Sequence, residues 1–314
     1  MTLLGWSSVP LFITHFASTI DVWTSNGWRY GFAAILWTPV LIIGHARRTL
    51  PAGLWTAALV PAVLNAFGQL AFSWSYYNTD PTTATFGLRA QIVFVAIGAY
   101  LLFPSERAVL RRPAAWAGIA LVLVGVAGTI LLAPGAKDGT PTHAFGVALA
   151  LTGGVLFAGY ALAVRKFMHK FHPVTAFAAI SQITALLTVA MMLVMAHNQQ
   201  TGVRDAGASA WALPNDQLAL LLLSSIIGIA LGHVFYYIAI ARLGVAVSSG
   251  VLQLQPFCVA IGSFLVFGKA MTSGQLISGL LAVVGATMLL TVQWRISRSA
   301  RAAAELTLAS ANDH

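Results

Sequence analysis

Acidic side chains are scarce in this chain, and none falls inside its long apolar runs. Eight Asp and Glu stand against seventeen Lys and Arg in 314 residues, and charge of both signs amounts to 8%. A soluble domain carries about 25% charged residues, so an ordinary water-soluble fold is excluded. A single cysteine, Cys258, excludes an intrachain disulfide. No basic stretch precedes the first apolar run, so no signal peptide is expected. No Gly-x4-Gly-Lys-Ser/Thr loop is present to cradle a nucleotide, which argues against an ATP motor. His-Glu-x-x-His is missing, the histidines are scattered, and Ser248 and Ser249 have no identifiable base. No enzyme activity, metal or cofactor is expected.

Hydrophobicity takes the place of charge. Apolar residues make up 58% of the chain and the mean hydropathy is +0.82. Ten segments approach the ~20 residues that span a bilayer: 3–18, 26–44, 53–76, 81–103, 114–132, 144–164, 173–196, 217–240, 245–267 and 274–294. The formal charge of +9 does not point to nucleic acid, because the basic residues cluster between apolar runs. Arg47, Arg48, Arg107, Arg111, Arg112, Arg165, Lys166, Lys170, Arg242, Arg295, Arg298 and Arg301 fall on one side of the alternation. Only Lys137, Arg204 and Lys269 fall on the other. This bias predicts that both termini are cytoplasmic.

The stretch 68–103 returns as 232–267 at a constant offset of 164. Gln91, Val95, Ala96, Ile97, Gly98, Leu101 and Phe103 recur as Gln255, Val259, Ala260, Ile261, Gly262, Leu265 and Phe267. A gap-free match of this kind favours a duplicated unit. Five segments per copy is an odd number, so the copies face opposite ways, as in the inverted repeats of secondary transporters. The expected fold is an all-α polytopic membrane protein, with ten transmembrane helices in two inverted five-helix repeats around a central cavity. The repeats are expected at 1–136 and 137–296, within one structural domain, followed by a cytoplasmic tail at 297–314. That tail is basic at its start and suits a surface helix near anionic lipid. The outer loop 198–216 is polar and is expected to be ordered only in part.

Gly5-Trp6-Ser7, the turn Ser105-Glu106-Arg107 and the Gly-rich run 122–132, echoed at 282–290, resemble the drug/metabolite transporter superfamily in its EamA-like branch. Ser105 departs from the glycine usual in that turn. Within the branch the chain looks most like the bacterial YddG-type exporters of aromatic amino acids. The resemblance implies a monomeric transporter in the bacterial inner membrane, bound by lipid, that exports small metabolites such as neutral or aromatic amino acids by alternating access. Multidrug export of organic cations or other amphipathic compounds is the alternative.

Polar residues inside the segments are the candidate site. Arg89 lies roughly 12 Å from the outer end of its segment, where an arginine costs about 2.5–3.5 kcal/mol. It can face a cavity, or else cap carbonyls, pair structurally or snorkel. Thr82, Thr85, Ala96 and Tyr100 share its helical face. Gln253 is its counterpart in the second copy. Gln91 and Gln255, with Gly98 and Gly262, read as helix-packing positions. Asn65, Gln69, Phe72 and Tyr76 share a face on segment three. His233, Tyr236 and Tyr237 do so on segment eight, and Phe157 and Tyr160 on segment six. Binding and packing readings are both open for these faces. His15 and His233 are the sole intramembrane proton candidates, so obligate proton coupling is not expected.

Overall fold

The computed structural model describes residues 1–136, 141–243 and 245–312. Among them the chain is helical throughout, with one isolated bridge between His197 and Arg204. In order the helices are α1 (Thr2–Phe16), α2 (Val22–Ala46), α3 (Leu54–Asn78), α4 (Pro81–Leu88), α5 (Gln91–Leu102), the single turn α6 (Arg107–Leu110) and α7 (Pro113–Leu131). Then come α8 (Pro141–Phe167), α9 (Pro173–Met195), α10 (Asn215–Ser225), α11 (Gly232–Leu243), α12 (Val245–Leu252), α13 (Gln255–Phe267) and α14 (Ser273–Asn312). Their starts follow from local chemistry. Asp21 caps α2, accepting from the Trp23 and Thr24 amides at 2.9 and 3.1 Å. Asp80 caps α4 through the Thr83 amide at 2.8 Å. Prolines open α4, α7, α8 and α9, where a missing N–H is harmless.

Eight helical stretches among the described residues are long and apolar enough to cross a membrane: 54–78, 81–102, 113–131, 142–167, 173–195, 215–236, 248–267 and 273–296. The chain is a multi-pass membrane protein. Of the ten segments expected from sequence, the first two fall short. Helix α1 has 15 residues, about 22 Å of rise against a ~30 Å core. Helix α2 is long enough, at 25 residues, but carries Ser25, Asn26 and Arg29. Large apolar side chains such as Leu131, Leu186, Leu265 and Ile277 point outward, each about 70% exposed, as a lipid-facing surface requires.

Two segments expected to be continuous are interrupted. The fourth breaks between α4 and α5 and the ninth between α12 and α13. Adding 164 to Pro81, Leu88 and Gln91 gives Val245, Leu252 and Gln255, so the interruptions fall at equivalent places in the repeat. Each is a tightened turn. The Arg89 and Ala90 amides bond the Phe86 and Gly87 carbonyls, and the Gln253 and Leu254 amides bond the Gly250 and Val251 carbonyls, all three residues back. A mid-helix stretch of this 3₁₀ type marks a hinge or a strained point. A third irregularity joins α10 to α11, a π-helical turn over Ile226–Leu231.

Helices of the two halves pack pairwise: α3 with α8, α2 with α9, and α7 with α14. The last pair meets backbone to backbone. A Cβ on Gly118 would stand 2.8 Å from the Gly285 carbonyl, and one on Gly285 would stand 2.6 Å from the Gly118 carbonyl. Small residues permit that approach.

The loop 198–216 is more ordered than its polarity suggested. The Asn198 side chain accepts from the Gln200 and Thr201 amides, and the Asp205 carboxylate from those of Gly207 and Ser209. The Gln199 amide donates to the Ala17 and Ile20 carbonyls, and Trp28 meets Trp211 edge-on at 4.6 Å. Short side chains that bond their own backbone hold the loop over the ends of α1 and α2.

Gly285→Leu, which drives a side chain into the Gly118 backbone, is expected to destabilise the protein by about 1–3 kcal/mol. Gly250→Ala, whose Cβ would meet nothing within 4 Å, is expected not to. Thermal unfolding of both variants in detergent checks the contrast; equal midpoints would refute the close crossing.

Candidate functional site

The two interrupted helices face each other. Arg89, at the first interruption, and Gln253, at the second, line one small cavity with Phe86, Val122, Pro256, Ala282, Val283 and Ala286. The Arg89 guanidinium donates through Nη2 to Oε1 of Gln255, the first residue of α13. The Gln255 amide in turn donates to the Trp6 carbonyl at 2.8 Å, and the Trp6 indole N–H donates to the Gly228 carbonyl at 3.1 Å. A single chain of hydrogen bonds thus joins α4, α13, α1 and the π turn. That turn widens the helical ladder, and two of its carbonyls accept from side chains: Gly228 from Trp6, and Ile229 from His233 Nδ1 at 2.9 Å.

Aromatic rings cluster around Trp6. The Trp6 ring lies 5.1 Å from Tyr236 and 5.3 Å from His233, and His233 stacks on Phe177 at 4.4 Å. The Tyr236 hydroxyl is 3.3 Å from the Ser249 hydroxyl. On the other side the Tyr76 hydroxyl donates to Thr85 at 3.0 Å, since the Thr85 hydroxyl is committed to the Pro81 carbonyl at 2.6 Å. Tyr76 and Tyr236 are both close enough to Arg89 to interact with its charge. Arg89 Nε has no hydrogen-bond partner, and among the described residues no carboxylate pairs with this side chain. The cavity beside it measures about 10 Å³, room for roughly one water. Arg89 itself is partly buried.

The other expected site residues divide. Gln253 lines the cavity and its amide bonds the Ser249 carbonyl at 3.4 Å. Asn65 donates to Thr184 at 3.2 Å and accepts from Gln69 at 3.5 Å, tying α3 to α9. Phe157 packs against Phe72, which packs edge-on against Tyr76. Tyr160 packs on the core shared by α2, α3 and α9. Tyr100 is 38% exposed on α5. The side chain of Tyr237 lies outside the described residues.

Three further residues stand out in the structure. Gln255 was read as a packing amide, yet it is the group on Arg89. Trp6 was noted only as part of an opening motif. Arg29 was overlooked, although it is 2% exposed. Its Nε donates to Ser224 at 3.0 Å while Nη1 has no partner, and the neighbouring Asn26 amide nitrogen, equally buried, has none either. The signal was present in Asp21-x-x-Thr24. Reading that cap starts α2 at Val22 and puts Arg29 two turns inside the helix rather than at its edge.

No curated protein matches the chain. A solved structure described only as the crystal structure of a protein is 19% identical, with a TM-score of 0.60 over 94% of this chain and 96% of that one; at such identity the likeness carries the fold alone. The description EamA-like transporter family fits residues 1–131 and again residues 144–291, so the same unit occurs twice in one chain. With its apolar helices, its repeated unit and a buried polar centre where the two copies meet, this chain belongs to the EamA-like family of membrane transporters.

Proposed function

We propose that the protein is a secondary transporter that exports small carboxylate-bearing metabolites, neutral and aromatic amino acids foremost, and that Arg89 receives the carboxylate. One observation carries the reading: a guanidinium within a membrane-spanning segment is held by a neutral amide and, among the described residues, by no acid. A carboxylate offers the arginine fork two parallel charge-assisted bonds, which an amide oxygen does not. The arriving substrate displaces Gln255, and Trp6, Tyr236 and His233 cover its apolar side chain. Its ammonium group falls to neutral acceptors around Tyr76 and Thr85.

Displacement requires the site to open. The hinges at Arg89–Ala90 and Gln253–Leu254 lie at equivalent positions of the two copies. Bending one, then the other, would expose Arg89 to each side in turn, which is alternating access. In this reading α1 and α2 also cross the membrane, giving ten spans in two inverted repeats, 1–136 and 137–296. Both termini are cytoplasmic, with the tail 297–314 among the inner-membrane lipids, and the monomer is the working unit. The sequence resemblance to YddG-type exporters supports the amino-acid class.

The aromatic cluster gives a second reading some weight, because rings hold organic cations. Arg89 opposes it, since a cationic substrate entering that cavity would meet a like charge.

Counterflow into proteoliposomes tests the proposal. Arg89→Ala is expected to lower the uptake of a labelled aromatic amino acid at least about tenfold, the loss of roughly 1.4 kcal/mol or more of binding, at normal membrane insertion. Arg89→Lys should restore part, because a point charge lacks the fork. The amide of the same amino acid should be carried poorly by wild type. Unchanged transport by well-inserted Arg89→Ala would remove Arg89 from the site, and preferential flux of a quaternary ammonium dye would favour the cation reading. Uptake is also expected without a pH gradient; uphill flux driven by that gradient alone and abolished by His233→Ala would make His233 a proton carrier.

A further inference from the structure

A second groove lies along α14. It encloses about 480 Å³ and is lined by Ala114 of α7 and by Val283, Val284, Thr287, Met288, Thr291, Val292 and Arg295 of α14. Its composition is graded: aliphatic at the deep end, hydroxyl-bearing through the middle, cationic at the mouth. From Val283 to Arg295 the helix rises about 18 Å, close to one leaflet of a ~30 Å core.

The mouth carries charge without acid. Arg295 and Arg298 end the membrane-spanning part of α14, and Arg111 and Arg112 precede α7 at the same end. Among the described residues none of the four is paired with a carboxylate. The acid nearest in sequence to Arg111, Glu106, is engaged by Arg165 at 2.8 Å and by the Gln293 amide. Half-exposed Trp116 and Trp294 flank the same level, where indole rings mark the boundary between hydrocarbon and headgroups.

We propose that this groove is a seat for an anionic phospholipid, with its phosphate on Arg295 and one acyl chain lying along Val292, Met288 and Val284. Basic pockets between transmembrane helices recognise such headgroups. A zwitterionic lipid satisfies the apolar part equally but brings its own cation to the arginines, so the selectivity lies in the headgroup. The seat also touches the transport site: Val283, at its deep end, lines the cavity beside Arg89. The lipid therefore buttresses the wall of α14 that closes that cavity. This holds whether or not Arg89 binds a carboxylate, and it is read without transport.

Delipidated protein in neutral detergent, titrated with phosphatidylglycerol, is expected to show an unfolding midpoint that climbs with lipid concentration, by roughly 5 °C at about 100 times Kd. Phosphatidylcholine with the same chains should give at most a small part of it, and glycerol phosphate, which has no chain, none. Arg295→Gln should abolish the difference between the two lipids. Lys170→Gln, a charge removed at the same end between α8 and α9, should preserve it. Equal stabilisation by both lipids, an equal effect of glycerol phosphate, or an undiminished response in Arg295→Gln would each overturn the proposal.

Discussion

The structure turns on a cation placed where water cannot reach it freely and given no anion of its own. A guanidinium in the middle of a membrane-spanning segment costs a few kcal/mol, and a matched carboxylate would offset much of that. The chain supplies an amide instead. Gln255 accepts from Arg89 and passes the bond to the Trp6 backbone, so the charge is solvated by oriented dipoles and not neutralised. An Asp or Glu in that place would neutralise the charge; the amide leaves it in place, and the guanidinium Nε keeps no hydrogen-bond partner.

Much of the surrounding architecture serves that contact. The hinge at Arg89 brings the side chain to the junction of α4 and α5, and the equivalent hinge brings Gln255 to the start of α13 from the other copy. The π turn frees carbonyls for Trp6 and His233, which fixes the aromatic cluster. Behind it, α7 and α14 cross through glycines so closely that neither backbone has room to yield.

The sequence made some of this readable and hid the rest for identifiable reasons. The duplication at an offset of 164 was legible because Gln91, Val95 to Gly98, Leu101 and Phe103 recur without a gap as Gln255, Val259 to Gly262, Leu265 and Phe267. The interruptions were not. Leu88-Arg89-Ala90-Gln91 contains neither glycine nor proline, and only Pro256 in the second copy hinted at one. Gln255 was visible as a repeated amide, but periodicity does not say which neighbour an amide bonds. Arg29 disappeared when α2 was started four residues late. The polar outer loop reads by composition as ordered only in part, while Asn198 and Asp205 hold local bonds that order it.

The most direct test is a structure determined with a bound aromatic amino acid. The account predicts its carboxylate on the Arg89 guanidinium, Gln255 released from that contact, and the ring against Trp6 and Tyr236. A substrate resolved elsewhere in the molecule, with Arg89 still bonded to Gln255, would contradict it.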